Sequence, residues 1–188
     1  MTISKPAGPS LRRLRHSSRA CGANSQSGQA LFELALLVPL LCMAMLAIIE
    51  YSRALNMEQK LVDLTRQGSN MASRGTALST AATAVATGSA PLNVSGAGEV
   101  IITSVARVSS VDTITGQATS GSLSMTSKIG TGVGSRATVP ATVDDIFTNN
   151  ANQTVYITEV FYPLTQITPI ARMWNLVLPS TMYQVAYF

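Results

Sequence analysis

The stretch that decides the fold runs from Gly28 to Tyr51 and reads GQALFELALLVPLLCMAMLAIIEY. A glycine opens it, and a near-continuous apolar run follows. The 20 residues from Ala30 to Ile49 carry one charge, Glu33, and Leu34 to Ile49 carry none. A bilayer core takes about 20 apolar residues in helical form, so the run predicts a transmembrane helix. Pro39 inside it removes the bond to the Ala35 carbonyl and predicts a kink or a locally loosened turn. Membrane helices tolerate this better than soluble ones do.

Charge partitions sharply about this run. The chain of 188 residues has a formal charge of +4. Lys5, Arg12, Arg13, Arg15 and Arg19 all precede Gly28, where there is no Asp or Glu. Beyond it, eight Lys and Arg face nine Asp and Glu, a net of −1. The basic balance therefore belongs to residues 1–28, a Ser-, Gly-, Pro- and Arg-rich leader without apolar periodicity. Positive charge on this flank predicts a cytoplasmic N-terminus. No basic stripe remains in the body of the chain to bind nucleic acid.

Past Glu50 the helical period continues. Ala54, Met57, Leu61, Leu64, Gly68 and Met71 form a one-sided seam, with Glu58, Lys60, Asp63 and Arg66 off it. One helix over residues 29–75, transmembrane and then amphipathic, is expected. From Ala30 to Arg74 it would span about 65–70 Å. The seam suits the chain's own C-terminal part or a partner helix; fewer than three heptads is short for a dedicated coiled coil. Residues 76–98 are rich in small residues and read as a low-complexity linker, with an alanine-driven extension of the helix to Ala86 as the alternative.

From Glu99 the pattern is β-like. Val100–Val111, Ser122–Ile129, Arg136–Val139 and Met182–Phe188 are strand candidates, and Gln153–Tyr162 is the best of them. In that segment Val155, Ile157 and Phe161 fall on one face and Tyr156, Thr158 and Val160 on the other, and Pro163 ends it. The expected fold class is α+β: a long N-terminal helix packed against a small antiparallel β-sheet domain over residues 99–188. A sheet domain of this size without disulfides is marginal alone, so the helix or an assembly is expected to complete its core.

The inventory for catalysis is poor. The one histidine, His16, lies in the leader, and Cys21 and Cys42 fall in unlike surroundings. Gly130-Thr-Gly-Val-Gly134 lacks the third glycine in register of a nucleotide loop and reads as a turn. Asp144 and Asp145, taken as neighbours on an extended segment, point apart and read as a polar loop rather than a calcium site with Asn149, Asn150 or Asn152. No cofactor, no metal and no enzymatic activity are expected. Asn93-Val-Ser95 and Asn152-Gln-Thr154 match the glycosylation tripeptide, which matters only in a eukaryotic secretory protein.

Glu33 stands apart. A carboxylate four residues into a membrane segment is a functional candidate by default, unless it sits at the headgroups, where it costs little. Gly28 followed by Gln29-Ala30-Leu31-Phe32-Glu33 and an apolar run resembles the processing site of type IV prepilins. The wider stretch, with Gly28-Gln29-Ala30, Glu33, Pro39 and Glu50-Tyr51-Ser52-Arg53, is similar to TadE-like minor pilins or pseudopilins of tight-adherence (Flp, type IVb) pili.

The resemblance implies a cytoplasmic leader cut off after Gly28 by a prepilin peptidase, so that the mature chain begins at Gln29. It implies that Glu33, fifth in that chain, is neutralised by the α-amino group of a neighbouring subunit during assembly. It also implies a periplasmic β-rich domain on a single-pass inner-membrane anchor, with possible incorporation into an extracellular pilus. The implied partners are the peptidase, other pilins, pilus assembly proteins of the inner membrane, and membrane lipid. Leu34 departs from the Tyr or Phe favoured at position six, and the chain is longer than a major Flp pilin. The alternatives are an uncleaved single-pass anchor carrying a periplasmic binding domain, and a secreted protein released by signal peptidase near Ala44–Ala47, a poor small-residue site after an overlong apolar run.

Overall fold

A computed structural model describes residues 23–150, 152–167 and 179–188, with side chains from Gly28 onward. Most of the expected leader lies outside the described residues. The chain divides into two units, Met1–Cys42 and Met43–Phe188.

Helix α1 runs from Ala23 to Ser73 and contains Pro39. From Gly28 it is long and apolar enough, by length and composition, to cross a membrane. In the first unit every side chain from Gly28 to Cys42 is exposed, including Leu31, Phe32 and Leu36. An apolar helix surface of this kind is at home in lipid and costly in water.

The second unit is an α+β arrangement. Its four-stranded antiparallel sheet comprises β1 (Glu99–Val108), β2 (Val111–Gly121), β3 (Thr154–Pro163) and β4 (Thr181–Tyr187), in the order β2-β1-β3-β4. Strands β1 and β2 meet through Ser109 and Ser110, both at positive φ, the mirror-image turn whose twist matches a tight hairpin. A bulge beside Ser104 and Val105 shifts their register. Backbone pairing continues past β4, because Tyr156 and Phe188 exchange N–H···O bonds of 2.9 Å each.

One sheet face is closed by helices. Leu61 and Leu64 of α1 are buried with Val100 and Ile102 of β1 and Val160 of β3. Each such leucine contributes about 1.5–3 kcal/mol on burial. The expected seam is the docked face: Ala54, Leu61, Leu64 and Gly68 are buried and Met57 and Met71 half-buried. Gly68 sits where α1 comes nearest β3, and a Cβ there would lie 2.8 Å from two side-chain atoms of Thr158. Beside it the Ser69 hydroxyl is 2.9 Å from Thr158 Oγ1 and 3.0 Å from the Ala186 carbonyl oxygen.

Three local readings are corrected. The stretch 76–98, expected as a linker, folds into α2 (Leu78–Thr87) and α3 (Val94–Ala97). Ala81, Ala82, Val85 and Ala86 are fully or almost fully buried in the helix-side core. Small side chains produce little hydropathy contrast in sequence, yet they let a helix lie close to its neighbours. The turn between the two helices is held by the buried Ser89 hydroxyl, within 2.7 Å of the Ala86 and Leu92 carbonyl oxygens and accepting from the Val94 amide at 3.1 Å.

Ser122–Ile129 and Arg136–Val139 are not strands. They form a covering loop tied to the sheet by one isolated bridge, Thr113 to Arg136, and by buried carboxylates. Asp144 and Asp145 lie on a further helix, α4 (Ala141–Asn149), which packs Val143 and Phe147 over the opposite sheet face with Val105, Ile114, Val155 and Ile157. Asp144 is ion-paired with Arg107, which also pairs with Asp112 at 2.8 Å. Asp112 and Asp144 thus flank one guanidinium. Among the described residues no group of three or more His, Cys, Asp or Glu could hold an ion.

Candidate functional site

The sequence-derived site residues all lie on α1 in the first unit. A Cβ on Gly28 would meet no atom within 4 Å, and its φ is outside the left-handed region. Glycine in a helix is less favourable than alanine by about 1 kcal/mol. Neither packing nor backbone geometry among the described residues asks for it here, unlike at Gly68. Gln29 donates its side-chain amide to Glu33 Oε1 at 3.2 Å, one helical turn on. The carboxylate is exposed and keeps acceptor positions for another donor. Pro39 is accommodated inside the helix.

In the second unit α1 carries a second group of polar residues. Glu50 is only 3% exposed, and its Oε1 accepts from the Ile167 backbone amide at 3.3 Å. Arg53, one turn further on, donates from Nη1 to the Thr165 carbonyl oxygen at 2.9 Å. The amide of one residue and the carbonyl of the residue two before it lie along the same edge of an extended segment. Glu50 and Arg53 together therefore grip the backbone after β3 as a neighbouring strand would. In sequence these residues were only the end of a motif; their partners lie 112 to 117 positions away.

Glu159 is a buried charge that sequence reasoning passed over. It lies in β3 and is fully buried. Its carboxylate accepts from the Lys128 backbone amide at 2.9 Å, from the Tyr183 hydroxyl at 3.0 Å, and from the Ser127 hydroxyl. The Lys128 ammonium stands 3.6 Å from the centroid of the Tyr183 ring, and that ring packs on Phe161 at 5.0 Å. Burial, followed by the charge and hydrogen bond of Glu159, raises the Tyr183 pKa far above the usual phenol range. Burial and Glu159 raise that of Tyr187 too. The signal in sequence was a single carboxylate inside QTVYITEVFY. Glu99 holds the same loop further along by accepting from the Met125 amide. These two glutamates fasten the covering loop to the sheet, and nothing in their surroundings suggests acid–base chemistry.

No curated protein and no solved structure matches the chain. A family does match, over α1 alone and stopping short of α2 and the sheet. Residues 28–70, from Gly28 to near the end of the helical seam, match the family model described as TadE-like protein, and over that stretch the chain is similar to those proteins.

Proposed function

We propose that this chain is a non-enzymatic minor pilin or pseudopilin that takes part in assembling a tight-adherence pilus for surface attachment. The TadE-like match supports involvement in a Tad pilus system. The observation that carries the finer reading is Gly28: a helix-weakening glycine with open space around it, directly ahead of the apolar run and five residues before Glu33. A glycine weakens the helix at this point, and among the described residues no side chain packs on it, both of which suit a protease's approach.

On this reading the basic leader stays cytoplasmic and the second unit is periplasmic, as the positive flank favours. Prepilin peptidase cuts between Gly28 and Gln29. The cut removes all five leader cations and frees the segment from its attraction to the anionic cytoplasmic face. Glu33 then meets the α-amino group of an adjacent subunit, and an ion pair in lipid offsets the cost of burying either charge alone. Pro39 provides a loosened turn in the span.

The test is N-terminal sequencing of the membrane-associated protein, with and without the peptidase, beside Gly28→Ala. A mature chain starting at Gln29, and a slower-migrating uncut Gly28→Ala, is the expected result. A chain that keeps Met1 and migrates identically in both forms would show an uncleaved single-pass anchor instead.

A further inference from the structure

A groove of about 720 Å³ opens on the second unit where the apolar run of α1 ends. Ile48, Ile49 and Met57 of α1 form its apolar floor, with Leu92 and Tyr162 opposite. Along it, Ile49, Arg53, Asn56 and Lys60 follow at +4, +3 and +4, one stripe of the helix. No Asp or Glu lines it. Of the helix carboxylates near it, Glu50 is committed to the Ile167 amide and Glu58 to the side-chain amide of Gln184 at 3.2 Å in a separate cavity, while Asp63, three residues past Lys60, lies outside the groove's lining. The groove thus pairs two cations and two neutral hydrogen-bonding side chains, Ser52 and Asn56, with an apolar floor.

We infer that this groove binds the headgroup of an acidic membrane phospholipid, its phosphate between Arg53 and Lys60 and its acyl chains leading away along Ile48 and Ile49. The inference rests on the membrane-inserted reading of the apolar run. Charge complementarity carries the choice of occupant: two cations with no carboxylate in the groove's lining fit a phosphodiester that brings no cation of its own. Depth agrees with it. Arg53 lies about 6 Å along the helix beyond Ile49 at the usual rise, within the headgroup layer of about 5–8 Å that flanks a bilayer core. Lys60 lies two turns higher, and its long stem leans back toward the helix N-terminus. Arg53 spends one donor on Thr165 and, as a guanidinium, has further donors to offer a phosphate.

The full chain is purified in neutral detergent and offered phosphatidylglycerol or phosphatidylcholine, with retained lipid counted by native mass spectrometry. One phosphatidylglycerol per chain is expected, held about tenfold better than phosphatidylcholine, at about threefold for each of two exposed charge contacts. Lys60→Gln should lower retention about threefold, as for a single exposed charge contact. Asn56→Asp, which sets a carboxylate between the cations at an exposed helix position, should lower it at least as much. Millimolar inorganic phosphate should leave the lipid in place. Equal retention of both lipids, unaltered retention in both variants, or displacement by phosphate would each overturn the headgroup site. Resistance of the same chain to alkaline extraction from membranes is measured alongside. Loss of that resistance refutes the membrane reading, whereas an inserted chain without lipid preference refutes only the groove.

Discussion

Gly68→Ala sets two physical effects against each other at one position. Replacing glycine by alanine inside a helix ordinarily stabilises it by about 1 kcal/mol. At Gly68 the new Cβ would lie 2.8 Å from both Cγ2 and Oγ1 of Thr158 and 3.3 Å from its Cβ. Thr158 cannot easily yield. It is fully buried, its branched side chain is stiff at χ1, and its hydroxyl is held by Ser69 at 2.9 Å. Overpacking of this kind costs about 1–3 kcal/mol, so the net expectation is destabilisation by about 1 kcal/mol. With a urea slope of about 2 kcal/mol per molar, the midpoint for the second unit should fall by about 0.5 M. Pulse proteolysis of the full chain in detergent micelles, across a urea series, reads that midpoint. In a Thr158→Ala background the two closest atoms are gone, and the cost of Gly68→Ala should vanish or reverse, a coupling of about 1–2 kcal/mol. A rise in midpoint of the same size in both backgrounds would refute the close approach of α1 to β3.

Three further outcomes are expected. Glu33→Gln should insert into membranes normally but lower pilus yield, scored by electron microscopy of sheared filaments; undiminished yield would remove the neutralisation role. Glu50→Ala should leave the Ile167 amide without its acceptor, costing about 1–3 kcal/mol locally, and hydrogen exchange over residues 164–167 should accelerate while the β1–β2 hairpin stays protected. The phenol of Tyr183 has its pKa raised in the folded chain, by burial first and by Glu159 second. Its stabilising contribution is therefore complete below the unfolded value of about 10 and lost as pH rises above it. The urea midpoint should hold steady from neutral pH to about 9 and then decline, and Tyr183→Phe should shallow that decline without abolishing it, because Tyr187 shifts the same way.

The long helix, its docked seam and three of the four strands were legible because each announces itself locally. A run of 20 residues with one charge, a +3/+4 repeat from Ala54 to Met71, and β-branched alternation in β1 and β3 each occupy one contiguous window. The hairpin return strand β2 was less visible, because Val111–Gly121 is rich in Thr, Ser and Gly and only Ile114 is fully buried. Helix α2 was hidden for a related reason, since alanines that pack in a core look like alanines in a linker. Asp144 and Asp145 were assigned to a loop because the apolar face of α4, Val143 and Phe147, is only two residues wide.

Around Gly28 and Glu33 the sequence by itself determined the candidate site: the spacing is local, and the structure adds that no packing among the described residues explains the glycine. The grip of Glu50 and Arg53 on Ile167 and Thr165, the burial of Glu159 under Ser127, Lys128 and Tyr183, and the cationic groove between α1 and Leu92 were decided only by tertiary structure. Each joins residues from distant parts of the chain, 112 to 117 positions apart for the Glu50 and Arg53 contacts. A local pattern can show that a carboxylate is out of place in an apolar strand, but the N–H and O–H groups that make the burial of Glu159 tolerable are set beside it only when the covering loop and β4 close on β3.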